Sequence, residues 1–259
     1  MFLKILKYAV MLIALILGLW ISALAFPQAL FEKVGKYERV TIYSDNEKLE
    51  NIDGIINDVN RRLADFDLPD SDNIPRIFVC QNQGLFGFYA RLTLLSPNIQ
   101  GFVIPLFDNV FLSVNKINEL GAQSRGLPRY IKRQGSISHA ITHELVHGFI
   151  LDSLELNTMR GLSFWKNEGY VEYKSNIILI RSDSTASLKS RIAEFIDDRI
   201  WLGYDPHVHE AYGWELMVEY LSEVKEYGLR DIMADSVTYR DTYTDMLNWY
   251  SEVKQGGTL

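Results

Sequence analysis

His143-Glu144-Leu145-Val146-His147 is the stretch from which the rest of the chain is best read. An α-helix turns about 100° per residue, so residues four apart stand one above the other on a single face. Two imidazoles so placed can each aim a nitrogen at one Zn²⁺ from about 2.0–2.1 Å. Glu144, one step round, is near enough to handle a water yet is not aimed at the ion. Ser136 and Ser138 offer caps, and Ile141, Leu145 and Phe149 form an apolar stripe, which predicts a mostly buried helix over Ser136–Leu151. Three fixed residues also recur by chance, and two buried, hydrogen-bonded histidines would give the same letters. The next segment strengthens the metal reading: Trp165-Lys166-Asn167-Glu168-Gly169-Tyr170-Val171-Glu172-Tyr173. Residues 148–167 leave room for a loop and a return helix that brings a carboxylate back to the histidines. Glu168 and Glu172 lie one turn apart, so on spacing alone they compete for that place.

His143–His147 followed by Trp165-x-x-Glu168-Gly169-x-x-Glu172-Tyr173 resembles the gluzincin zinc metallopeptidases, the superfamily of thermolysin-like enzymes and related aminopeptidases. The resemblance is specific over Ser136–Asn176 and vaguer over His209–Tyr250. It implies that His143, His147 and Glu168 hold Zn²⁺ and that Glu144 is general base to a zinc-activated water. It also implies that Glu172 fixes the tautomer of a ligand histidine. A donor for the developing oxyanion is expected near the start of a later helix; Tyr212 is similar to the family's tyrosine there, with a slightly short spacing to Tyr220-Leu221, and His209 is the runner-up. The Gly-x-Met-Glu-Asn motif that lets the aminopeptidases capture a free amino terminus does not precede His143, so aminopeptidase activity is not expected. His139 lies four before His143. Ligands at i, i+4 and i+8 of one straight helix span about 12 Å of rise and cannot converge, so His139 is expected as a polar residue at the cleft wall.

The chain of 259 residues is 47% hydrophobic and 23% charged, ordinary for a globular protein. A formal charge of −7 with no basic stripe argues against nucleic acid as a partner. The single cysteine, Cys80, excludes an intrachain disulfide, and its setting in Arg76-Ile77-Phe78-Val79-Cys80 suits a small hydrophobe in a buried strand. Residues 1–31 differ in kind. Lys4 and Lys7 precede an uncharged run, Tyr8–Phe31, long enough to span a bilayer. The lysines predict a cytoplasmic N-terminus and an exported catalytic domain, periplasmic or extracellular. A retained anchor is favoured by the length of the run, while Ala23-Leu24-Ala25 reads as a passable signal-cleavage site.

The expected fold class is α+β: a membrane anchor or signal segment over 1–31, then a gluzincin-like domain over 32–259, itself an α+β lobe (32–135) and a helical lobe (136–259). Pro27–Lys36 reads as a juxtamembrane linker. Arg39–Tyr43, Pro75–Cys80, Gly101–Ile104 and Asn109–Val114 read as strands, and Glu47–Phe66 as an amphipathic helix. Gly84–Leu95 fits no pattern, and Asn115–Gln134 reads as a loop with a helical turn. Helices are expected at Ser136–Leu151, Phe164–Leu179, Leu188–Leu202, His209–Lys225 and Tyr239–Val253. The resemblance implies an edge strand before the metal helix that pairs with an extended peptide or protein substrate, and Asn109–Val114 is the candidate. Two other functions compete with the peptidase: a zinc-bearing module that binds peptides without cutting them, and a structural membrane-tethered domain in which the motif is coincidental.

Overall fold

The computed structural model describes residues 2–37, 40–46, 49, 51–64, 75–123, 136–154, 161–202, 204 and 206–255. In chain order its elements begin with α1 (Phe2–Ala25), β1 (Glu32–Lys36), β2 (Thr41–Ser44), α2 (Ile52–Arg62), β3 (Arg76–Cys80), α3 (Gln83–Leu92), β4 (Gly101–Ile104) and β5 (Asn109–Ser113). Helices follow: α4 (Val114–Gln123), α5 (Ile137–Ser153), α6 (Phe164–Arg181), α7 (Leu188–Phe195), α8 (Asp198–Trp201), α9 (Pro206–Glu219), α10 (Leu229–Met233) and α11 (Tyr239–Gln255). The protein is therefore mixed α and β, with one small sheet and one apolar N-terminal helix. It divides into two compact units, Met1–Ile52 with Ser71–Lys116, and Asp53–Asp70 with Ile117–Leu259.

The first unit is built on a five-stranded sheet of order β1-β2-β3-β5-β4. The central pairs β2–β3 and β3–β5 run parallel, and the outer pairs β1–β2 and β4–β5 antiparallel. Aromatic rings fill its core: Phe111 stacks on Phe78, Phe102 and Tyr89 with centroids 4.9, 5.1 and 4.5 Å apart, and Tyr43 stacks on Phe78 at 5.0 Å. Such pairs add about 0.5–1.5 kcal/mol each to the burial of their area. Cys80 sits in this core at 1% exposure. The stretch Gly84–Leu95 resolves into α3, capped by Asn82, whose Oδ1 accepts from the Gly84 and Leu85 amides at 2.8 and 3.2 Å. The supposed linker supplies β1, a charged edge strand whose Gly35 and lack of any buried position hide it from pattern reading. Asn109–Val114 is not the edge strand expected above. β5 is buried at every position and bonded on both sides, and β4 is the free edge beyond it.

α1 is long and apolar enough to cross a membrane over Lys4–Ala25, and its side chains from Ile5 to Leu19 are exposed. Its last turn is different. Leu24 is 4% exposed within the aromatic core, and its carbonyl accepts from Asn109 Nδ2 at 2.7 Å.

In the second unit α2 is fastened by a buried arginine. Arg62, its side chain 2% exposed, pairs through Nε with Asp58 at 2.9 Å and donates Nη1 to the Ser175 carbonyl of α6 at 2.7 Å. Asp58 in turn accepts from Ser138 Oγ of α5 at 2.6 Å. Although burial pushes the Asp58 carboxyl up, these bonds and the Arg62 charge win and hold it at about 2. α6 packs closely on α9 at Gly169. A Cβ there would stand 2.6 Å from the Trp214 carbonyl oxygen and 3.0 Å from Val218 Cγ2, so only glycine permits the crossing. The helix expected over Leu188–Leu202 is broken in two because Asp197 turns its carboxylate onto the Arg199 amide at 3.2 Å and starts α8. α9 begins earlier than expected, with Pro206 in its first turn, and runs into a π-helical turn over Tyr220–Val224.

Candidate metal centre

α5 is capped by Ser136, whose Oγ accepts from the His139 amide at 3.1 Å. Its interior is apolar on nearly every side, with Ile141 and Val146 fully buried. Three of its polar residues, His139, His143 and His147, fall along a single face. α6 lies beside it and presents Glu168, Glu172 and Asn176 at the same four-residue period. The two rows mesh. His147 Nε2 and His143 Nε2 lie 3.5 and 3.6 Å from the two oxygens of Glu168. His143 Nδ1 lies 3.2 Å from Glu172 Oε1, and His139 Nε2 is 3.4 Å from Glu172 Oε2. Asn176 Nδ2 closes the row on Glu172 at 3.4 Å.

The donor set fits a zinc ion. Tetrahedral bonds of about 2.0–2.1 Å put neighbouring ligand atoms about 3.3–3.5 Å apart. The two Nε2 atoms are 3.2 Å apart, and their distances to Glu168 are 3.5–3.6 Å. The charges point the same way. Burial works against protonation of His143, but the Glu168 and Glu172 carboxylates outweigh it and hold its pKa well above the ordinary imidazole range. Burial first, and then the charge on His143, pushes His147 down to about 4. A proton on one imidazole thus disfavours a proton on the other. Burial opposes ionisation of Glu168 too, yet the histidines keep its pKa below the usual carboxylate range.

Behind the seat, Glu172 is held ionised by His139 and His143 despite its burial. Accepting from His143 Nδ1–H, it turns the ring so that Nε2 faces Glu168 and His147. Asn167 Nδ2 stands 3.3 Å from His147 Nδ1 and 3.4 Å from Glu168 Oε1, between ring and carboxylate. Glu144, 8% exposed, follows His143 on α5; burial, against the pull of His143, pushes its carboxyl up to about 7.

The structure therefore brings together His143, His147 and Glu168, with Glu172 behind and Glu144 alongside. His139 is not at a cleft wall: it is 3% exposed and bonded to Glu172, and burial keeps it neutral. The helical period had marked it, but only the matching period on α6 explains it. The same donor types recur one turn down, as His139, His143 and Glu172. Tyr212 and His209 are engaged elsewhere. His209 Nε2 meets the Phe195 carbonyl at 2.9 Å and its ring lies 4.5 Å from both Phe195 and Trp201. Tyr212 is 1% exposed, and burial raises its hydroxyl well above the phenol range in the company of Arg191, Glu215 and Glu194.

No protein family matches the chain, and neither a characterised protein nor a solved structure does.

Proposed function

We propose that the chain is a membrane-tethered zinc metallopeptidase of gluzincin type, with His143, His147 and Glu168 as ligands and Glu144 as general base. The observation that carries this reading is the convergence of two imidazoles and a carboxylate from two helices: the Nε2 atoms lie 3.2 Å apart, one Glu168 oxygen is 3.5 Å from His147 Nε2 and the other 3.6 Å from His143 Nε2. A zinc ion bound there supplies Lewis acidity, polarising a substrate carbonyl and acidifying water. Two neutral imidazoles and one carboxylate leave a net positive charge in the seat, which keeps it electrophilic. Glu144 takes the proton of the attacking water on its carboxylate and returns it to the departing amine. Glu172, facing His143 Nδ1, holds that ring in the tautomer that leaves its Nε2 to the ion. The tether is α1, and Lys4 and Lys7 favour its N-terminus in the cytoplasm with the catalytic unit exported.

The test is a peptide pool digested by the purified full chain, with metal content measured in parallel. Stoichiometric zinc and cleavage lost in Glu144→Gln, with its zinc retained, is the expected result. Undiminished turnover by Glu144→Gln removes Glu144 from the chemistry, a zinc-loaded protein that never cuts is a binding module, and a protein that takes up no zinc overturns the reading outright.

A further inference from the structure

The first unit carries an apolar turn whose construction suits lipid better than water. Trp20 lies on α1 about 7 Å below Ala25, at 1.5 Å of rise per residue. Its indole N–H donates to the Leu92 carbonyl at the end of α3, at 2.9 Å. The chain then turns through Thr93, Leu94 and Leu95. Leu94 is 94% exposed and held at φ 61, a conformation that a branched side chain disfavours. Leu95 is 41% exposed, and Phe88, one turn back on the outer face of α3 with Arg91, is 44% exposed.

The amides of this turn need no solvent. The Thr93 amide bonds to the Tyr89 and Ala90 carbonyls, both at 3.2 Å, the Leu94 amide to Arg91 at 3.1 Å and the Leu95 amide to Ala90 at 2.8 Å. Thr93 Oγ1 donates to the Ala90 carbonyl at 2.9 Å, and the Leu92 carbonyl has Trp20. A turn facing water can leave such groups to hydration. Inside a bilayer each must be met within the protein. The depth agrees: Lys4–Ala25 spans about 30 Å, the thickness of the hydrocarbon layer, and places Trp20 at the level where tryptophans gather in membranes. α1 is not free to swing away, because Leu24 is buried in the core and bonded to Asn109.

We propose that Phe88 and Arg91–Leu95 form a second membrane-inserted element, a wedge that enters the outer interface of the bilayer beside α1. Its partner is lipid. Leu94, Leu95 and Phe88 enter the acyl boundary, and the Arg91 guanidinium reaches up to the headgroup phosphates. This rests on the reading of α1 as a membrane span.

The full chain is reconstituted into vesicles of phosphatidylcholine with a minority of phosphatidylglycerol, carrying an environment-sensitive dye at Leu94→Cys or, separately, at Ile16→Cys. The native Cys80, 1% exposed, stays unlabelled. Quenching by nitroxide on the lipid chains and by aqueous iodide is then read. Both sites are expected to be quenched from the lipid side, with iodide quenching at Leu94→Cys several-fold below that of the free dye adduct. Lipid quenching at Ile16→Cys with full iodide access at Leu94→Cys overturns the wedge and leaves the anchor standing. Absence of lipid quenching at both sites overturns both. Leu94 points out of the fold, so the substitution does not compromise folding.

Discussion

Replacing Gly169 by alanine sets two effects of known size against each other. Alanine in a helix interior is favoured over glycine by about 1 kcal/mol. Against this, the new Cβ would lie 2.6 Å from the Trp214 carbonyl oxygen and 2.8 Å from its carbon. Those are backbone atoms of α9 and cannot rotate aside, so the helices must part by most of an ångström. Overpacking of this kind costs about 1–3 kcal/mol, and a backbone clash belongs at the upper end. The net expectation is a loss of about 2 kcal/mol. Gly148→Ala is the matched control, because its Cβ meets nothing within 4 Å and only the helical gain of about 0.5–1 kcal/mol remains. Urea unfolding of the chelator-treated full chain, followed by tryptophan fluorescence, should therefore move in opposite directions for the two variants. Glu168 precedes Gly169, so the parting of the helices also displaces a carboxylate whose oxygens now lie 3.5–3.6 Å from the imidazoles. Competition with a chromophoric chelator should show zinc affinity at least about tenfold weaker in Gly169→Ala, as for other disturbances of ligand orientation. Equal stability of the two alanine variants would refute the close crossing and its role in aiming Glu168.

Glu172→Gln, which loses the charge that fixes the His143 tautomer, should weaken zinc binding about 10- to 100-fold without unfolding the chain. His139→Ala should do so less, and His139→Gln, which keeps an N–H near Glu172 Oε2, should recover most of the affinity in the same chelator competition. Asp58 gives a pH signature: its folded pKa of about 2 is below the ordinary aspartate value of 3.8, so its stabilisation is present above pH 4 and is lost as pH falls towards 2. With its side chain 22% exposed, screening reduces the effect to about 1 kcal/mol, and Asp58→Asn should flatten the acid limb of the stability curve by that amount. Deleting residues 1–25, as cleavage after Ala25 would, removes Leu24 from the core and orphans Asn109 Nδ2. A loss of at least about 3 kcal/mol is expected in urea unfolding, and an unchanged midpoint would show that α1 is dispensable to the fold.

Much of the centre is legible in the residues because helical spacing is a local property. Two histidines four apart on an apolar helix, and acids four apart on the next, fix which atoms can meet before any tertiary contact is known. What stays hidden depends on partners distant in sequence. β1 is a strand only because β2 is there to pair with it, and β5 is central only because β4 returns antiparallel outside it. α3 is masked by Gly84 and Gly87, whose low helix propensity is overridden by the Asn82 cap and by burial of Phe86, Tyr89 and Ala90. The roles of Tyr212 and His209 were carried by resemblance alone. Arg191, fully buried and paired with Glu215 at 3.1 Å, is what claims the space around Tyr212, and nothing in the local sequence announces it.

The meshing of α5 and α6 is a vernier with two nearly equivalent marks. Slip one rod past the other by a turn, about 5.4 Å, and histidines still face glutamates. The marks are not equal in chemistry, however: beside the first histidine of the upper set stands Glu144, and at the same place in the lower set stands Ala140. A cation could be gripped at either, but only one has an acid at hand. Alignment of the helices is set remotely, by a guanidinium on α2 gripping the Ser175 carbonyl and a carboxylate gripping Ser138, groups that belong to neither set of donors.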